Sequence, residues 1–344
     1  MALHPVEGVA GPPWERPLAG AIDKLVVESE LLADNPLGDP ARRPLYVYRP
    51  PVLGPDRELP SVYVLQGYGG QLDNWWSRPD FELTTFERID AMFAAGDCPP
   101  AVVVFVDAWT RLGGAQFLNS TSTGRYMDYI CDEVVPYVDA NYPTVEARGR
   151  RAVAGKSSGG YGAMVLPMLR PDVFGAFASH AGDALFECAY LPEFPAVART
   201  LRDHFQGSLD VFLTHVEQLE HFEFRRDALP LSVYGMACAY SDGLIPFEIS
   251  TGRLIDDVWE RWLEHDPVRM APRYADALQS MRRIYLDAGT SDEFYLDLGA
   301  RAFADELDKL GVEYSLELYE GTHSGTAYRY PGAIRELVLA LDAN

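Results

Sequence analysis

Residues Gly155 to Gly162 read GKSSGGYG, two serines set among glycines. The first five fit G-x-S-x-G. They follow the short apolar run AVA (Ala152 to Ala154) and precede the helical run YGAMVLPML, so the motif sits in a strand, turn, helix context. So sharp a turn brings the residues two before and two after its tip against neighbouring backbone, and glycine is needed at both places. Gly155 and Gly159 flank Ser157 in this way. Around Ser158 the same positions hold Lys156 and Gly160, and a lysine there would clash. Ser157 is therefore the expected nucleophile, and Gly160 lets the helix pack closely. Standing alone, the pentad also reads as a plain Gly/Ser turn ahead of a helix N-cap.

A serine hydroxyl needs a base, and the base needs an orienting acid. His323, in YEGTHSG, follows the last strand-like run YSLELY (Tyr314 to Tyr319) and is the expected base. His180, in SHAGD, is the rival, but it precedes every candidate acid and reads better as a pocket-wall residue or one just behind the wall, structural rather than catalytic. The acid belongs in LDAGTSDEF, where Asp287, Asp292 and Glu293 compete. Asp287 continues its strand, whereas Asp292 lies past Gly289 in a loop able to reach a histidine ring, so Asp292 is preferred. Backbone N–H groups should meet the developing oxyanion, each contributing about 10² to 10³ in rate. Ser158 offers one amide, and Tyr68 of GYGG (Gly67 to Gly70) the other. Trp75 and Trp76, at a neighbouring strand end, join His180 as candidate substrate-binding residues. HVEQLEH (His215 to His221) lacks the i,i+4 spacing of a helical metal pair, and no metal or other cofactor is expected.

Short β-branched and aromatic runs alternate with helical patterns along the chain, which predicts an α/β fold with a mostly parallel sheet covered on both faces. The expected strands are 45–48, 62–66, 102–106, 152–154, 176–179, 283–286 and 314–319. Ile130, Val134 and Val138 repeat at helical spacing, as do Phe303, Leu307 and Leu310 ahead of Gly311, a C-terminal cap. About 100 residues separate the fifth and sixth of these strands, far more than a crossover needs. The expectation is a catalytic domain of residues 1–183 and 281–344 with an inserted, aromatic-rich cap or lid over 184–280, most of its rings forming a small core of their own.

The chain has 344 residues and a formal net charge of −22, an acidic surface that disfavours nucleic acid and anionic membranes as partners and is compatible with a homo-oligomer. Cys98, Cys131, Cys188 and Cys238 are widely spaced, the pattern of free thiols in a reducing compartment. The opening MALHPVEGVAGPPWERP has neither a basic start nor an apolar run, so a cytoplasmic protein is expected.

With QGYGG, GKSSGG, GTSDEF and EGTHSG in order, the sequence resembles the esterase D and enterochelin-esterase branch of the α/β-hydrolase superfamily, over roughly residues 25 to 183 and 281 to 341. The resemblance implies an α/β-hydrolase fold with Ser157 as nucleophile, Asp292 as acid, His323 as base, and Tyr68 and Ser158 as oxyanion amides. Gln66 stands where a histidine often precedes the glycine loop. The expected activity is a serine carboxylic-ester hydrolase that forms an acyl-enzyme from a small-molecule ester. Two rivals remain at this level: acyl transfer or peptide hydrolysis by the same triad, and a catalytically silent binding protein on the same fold.

Overall fold

The structure, a computed structural model, describes residues 13–51, 58–78 and 80–343. Eight strands form one sheet: β1 (Ala21–Glu28), β2 (Arg42–Arg49), β3 (Ser61–Leu65), β4 (Val102–Val106), β7 (Arg151–Lys156), β8 (Ala176–His180), β9 (Arg283–Gly289) and β10 (Ser315–Tyr319). Two dipeptide strands, β5 (Asn119–Ser120) and β6 (Gly124–Arg125), make a separate small ribbon. The order across the sheet is β1-β2-β4-β3-β7-β8-β9-β10. The first two pairings are antiparallel and the other five parallel.

Strands β3, β4, β7 and β8 are buried on both faces, which is why their sequences are continuous apolar runs. One face packs Ala152, Ala154, Ala176 and Ala178 beneath Ile334, Leu337, Val338 and Leu341 of the helix Tyr330–Asp342. Small residues on the strands let that helix lie close. The other face carries Tyr63, Val153 and Phe177 against the helices Ser158–Leu169 and Leu296–Leu310. Gly311 caps the latter at φ 66°, as its position after Leu310 predicts. Ile130, Val134 and Val138 share a buried face, but residues Tyr129–Val134 take a wider π-type turn. Pro136, the second residue of the helix Val135–Asn141 that continues it, supplies no N–H for a regular helical ladder.

The connection between β8 and β9 includes the helices Phe194–His204, Leu209–Val216, Leu229–Tyr240 and Asp256–Leu263. Its rings do not form a core of their own. Phe194, Trp259, Trp262, Tyr190 and Tyr240 pack together, and Tyr240 continues the cluster to Tyr161, 5.7 Å away on the helix that follows Ser157. Phe222 and Phe224 stay exposed. Cys98, Cys131 and Cys238 are buried and all four cysteines are free thiols. Among the described residues no helix is long and apolar enough to cross a membrane.

Candidate active site

The residues singled out around the serine turn emerge at the carboxyl ends of parallel strands, the edge where open α/β sheets bind ligands. Ser157 stands between β7 and the helix Ser158–Leu169 at φ 57°, ψ −125°, a conformation that costs a non-glycine residue of order 1–3 kcal/mol. The neighbours explain how the turn is held. A Cβ on Gly155 would collide with the carbonyl of Gly159, and one on Gly159 with the carbonyl of Leu65. One on Gly160 would stand 2.7 Å from Cα of Gly182. The Ser157 amide donates to the His180 carbonyl at 2.9 Å, and the Ser157 carbonyl accepts from Tyr161 N–H at 2.8 Å. Its own Oγ makes no hydrogen bond among the described residues.

Beyond β10 the chain turns through Gly321 to His323, whose Nδ1 lies 2.8 Å from Asp292 Oδ2. The second oxygen of Asp292 accepts from Phe294 N–H at 2.9 Å. The two loops are joined again where Glu293 accepts the His323 amide at 2.9 Å and the Gly321 carbonyl accepts from Ser291 at 2.9 Å. That backbone hydrogen bond holds the exposed Glu293 carboxyl below the usual carboxylate range. Phe294 lies edge-on to the His323 ring at 4.9 Å.

Ser157, Ser158, Tyr68 and His323 line one cavity of about 310 Å³. Its apolar wall includes Leu229 and Met236 of the helix Leu229–Tyr240, with Phe224 nearby. The amides of Tyr68 and Ser158 donate to no carbonyl among the described residues, while the loop holding Tyr68 is pinned by Gly69 N–H on the Gly113 carbonyl at 2.8 Å. Asp183 closes the floor, accepting from Tyr190 Oη at 2.9 Å, Gln116 Nε2 at 3.2 Å and, more distantly, Ser158 Oγ at 3.4 Å. Burial pushes its carboxyl above the ordinary value against the pull of those donors.

Three residues expected to bind substrate lie elsewhere. Trp75 packs against Phe105 and Tyr330, each at 5.3 Å, and Trp76 against Phe86 at 4.5 Å; neither lines the Ser157 cavity. Both belong to the short 3-10 turn Leu72–Trp76, which packs on the sheet face covered by the helix Tyr330–Asp342. His180 is also absent from that wall: it is buried, with Nδ1 2.8 Å from Asp287 Oδ1. Asp287 in turn accepts from Arg329 Nε at 2.9 Å and Tyr285 Oη at 3.2 Å, so it serves the sheet. Asp183, Leu229, Ser232 and Met236 were missed by sequence reasoning. Asp183 had a local signal, a carboxylate three residues past a strand end, whereas the others come from a helix some 70 residues after the serine.

The family profile described as "Putative esterase" matches residues 40–331. A bifunctional endo-1,4-beta-xylanase/feruloyl esterase of Xylanibacter ruminicola is 26% identical over 148 residues, 43% of this chain and 19% of that protein, so the chain spans only a fraction of this curated relative's length. Among solved structures, a ferulic acid esterase superposes with a TM-score of 0.60 at 15% identity, covering 94% of this chain and 100% of that one. An S-formylglutathione hydrolase from Agrobacterium tumefaciens gives 0.56 at 15% identity, covering 95% and 97%. At such identities the likeness speaks for the fold, that of the α/β-hydrolases.

Proposed function

Since the chain belongs to the esterase family, we propose that it is a serine carboxylic-ester hydrolase in which Ser157, His323 and Asp292 act as nucleophile, base and orienting acid. The observation that carries this reading is the Asp292–His323 pair at 2.8 Å opening on the same cavity as Ser157, whose strained turn presents its oxygen.

Because Asp292 occupies Nδ1, the free Nε2 of His323 takes the proton from Ser157 Oγ as that oxygen bonds to the ester carbonyl carbon. The carbonyl oxygen becomes an anion within reach of the Tyr68 and Ser158 amides, which are not committed to other carbonyls. Collapse breaks the bond to the alcohol, which leaves with the proton held on Nε2. Water then adds to the acyl-enzyme, giving its proton to His323, and a second collapse releases the acid and restores Ser157. The steps call for no metal or organic cofactor.

Residues 184–280 act in this reading as a cap whose Leu229, Ser232 and Met236 set the length of the acyl or alcohol group, and a cavity of about 310 Å³ suits a small or medium-sized ester. The acidic surface and free thiols fit a cytoplasmic enzyme acting on a small molecule, with no nucleic-acid or membrane partner. A panel of p-nitrophenyl esters of rising chain length, run with and without a serine-directed phosphonate, tests the reading. Phosphonate-sensitive turnover with a chain-length optimum is expected, and absence of turnover on every ester would overturn it.

A further inference from the structure

Lys156, the second residue of the serine motif, is given no role by the chemistry above. It borders two cavities: the one that holds Ser157, and a neighbour of about 320 Å³ that shares Gly67 and Lys156 as walls. The neighbour is an open cleft whose lining includes Gln66, Trp75, Thr85, Thr326 and Tyr330. In a chain with 51 acidic residues, no residue lining this cavity is acidic, and Lys156 is its one charged side chain.

Its walls also hold unmet hydrogen-bonding capacity. Trp75 Nε1 and Gln66 Oε1 are buried without a partner, and Gln66 is only 5% exposed. Lys156 makes no ion pair and no side-chain hydrogen bond among the described residues. Burial presses its ammonium below the ordinary lysine value, against the pull of Asp292, Asp183 and Glu293. Lys156 is only partly buried and keeps some contact with water, whereas a buried N–H donor such as Trp75 Nε1 costs stability while it has no partner. An oxyanion completes both, and the Gln66 carboxamide can turn to present its nitrogen.

We propose that this second cavity is a subsite for a carboxylate carried on the alcohol half of the substrate. Lys156 supplies the counter-charge and Trp75 Nε1–H a directed hydrogen bond. The alcohol half is assigned because Gly325, Thr326 and Ala327, which line the cavity, lie two to four residues past His323, the group that protonates the leaving alcohol. This assignment rests on the ester-hydrolase reading; the binding of an anion there does not.

The test therefore has a binding arm and a kinetic arm. By calorimetry at constant ionic strength, 4-hydroxybenzoate should bind the full chain, and Lys156→Met should weaken it by about tenfold or more, the usual effect of losing a charged hydrogen bond. Trp75→Phe should weaken it several-fold, and serves alone if Lys156→Met does not fold. Inorganic phosphate is the free-anion control. Kinetically, the preference for 4-carboxyphenyl acetate over 4-methylphenyl acetate should fall by a similar factor in Lys156→Met, a ratio from which intrinsic reactivity cancels. Equal affinity of wild type and both variants, or no binding of 4-hydroxybenzoate, overturns the proposal. Tighter binding of phosphate overturns its substrate-borne half. Lysine-dependent binding in a chain that cleaves no ester leaves the subsite standing and removes the hydrolase reading instead.

Discussion

Asp292 Oδ2 stands 2.8 Å from His323 Nδ1, and an unrelated pair, Asp287 and His180, repeats the same distance inside the sheet. Only the first pair includes a residue of the serine cavity. Asp292→Asn and His323→Ala should therefore lower kcat by about 10³ to 10⁴ with circular dichroism unchanged. Asp287→Asn should act mainly on stability. Turnover lost in Asp287→Asn and kept in Asp292→Asn would reverse the assignment.

Asp287 also sets an acid limit. Burial alone would raise its carboxyl, but His180 and Arg329 outweigh that and hold it below the ordinary value. A carboxyl depressed in the folded state stabilises the protein above the unfolded value near 3.9, and that contribution is lost as pH falls through the folded one. Thermal midpoints measured from pH 6 to pH 3 should fall below about pH 4, and less steeply in Asp287→Asn.

The adjacent serines separate by what each contributes. Ser157→Ala removes the attacking oxygen and should abolish both turnover and phosphonate labelling. Ser158→Ala keeps the amide, losing only a long contact of 3.4 Å to Asp183, so most activity should survive. Ser158→Pro deletes the amide hydrogen and should be nearly inactive. Fragment-ion mass spectrometry of the phosphonate adduct checks the site, and an adduct on Ser158 would sink the assignment.

The glycines of the turn predict opposite outcomes from one chemical change. Gly155→Ala and Gly159→Ala each drive a methyl into a carbonyl and should lower the melting temperature sharply or prevent folding. Gly332→Ala, with open space around its Cβ in the last helix, should stabilise by about 0.5–1 kcal/mol. Melting curves of the three variants decide it; a neutral Gly155→Ala would mean that the turn relaxes.

Strands buried on both faces are legible in the sequence because continuous apolar runs such as VVVFV have no other stable placement, and the edge strand β10 is legible through the aromatic and leucine residues of YSLELY although none of its residues is buried. AIDKLVVE escaped notice: as the sheet's edge it is half exposed, and Asp23, Lys24 and Glu28 break its apolar signal. The serine turn was readable because steric need leaves glycines at set offsets. Strand-end position, which pointed to Trp75, Trp76 and His180, does not say which side of the sheet a side chain faces: none of the three lines the Ser157 cavity, and Trp75 lines its neighbour instead. Leu229, Ser232 and Met236 reach the cavity only through tertiary folding, and nothing local marks them.

The loops after β9 and β10 are cross-stitched by Thr290 N–H to the Tyr319 carbonyl, Ser291 N–H to the Gly321 carbonyl and His323 N–H to Glu293, with Gly289 pressed on Gly321. Asp292 and His323, the acid and base of the proposed mechanism, thus ride on a single hydrogen-bonded bracket. The entropy of aligning the imidazole with its carboxylate is spent once, as the chain folds, and does not recur at each turnover. If the helical segment serves as the proposed cap, its motion would change how often a substrate enters without disturbing the Asp292–His323 pair.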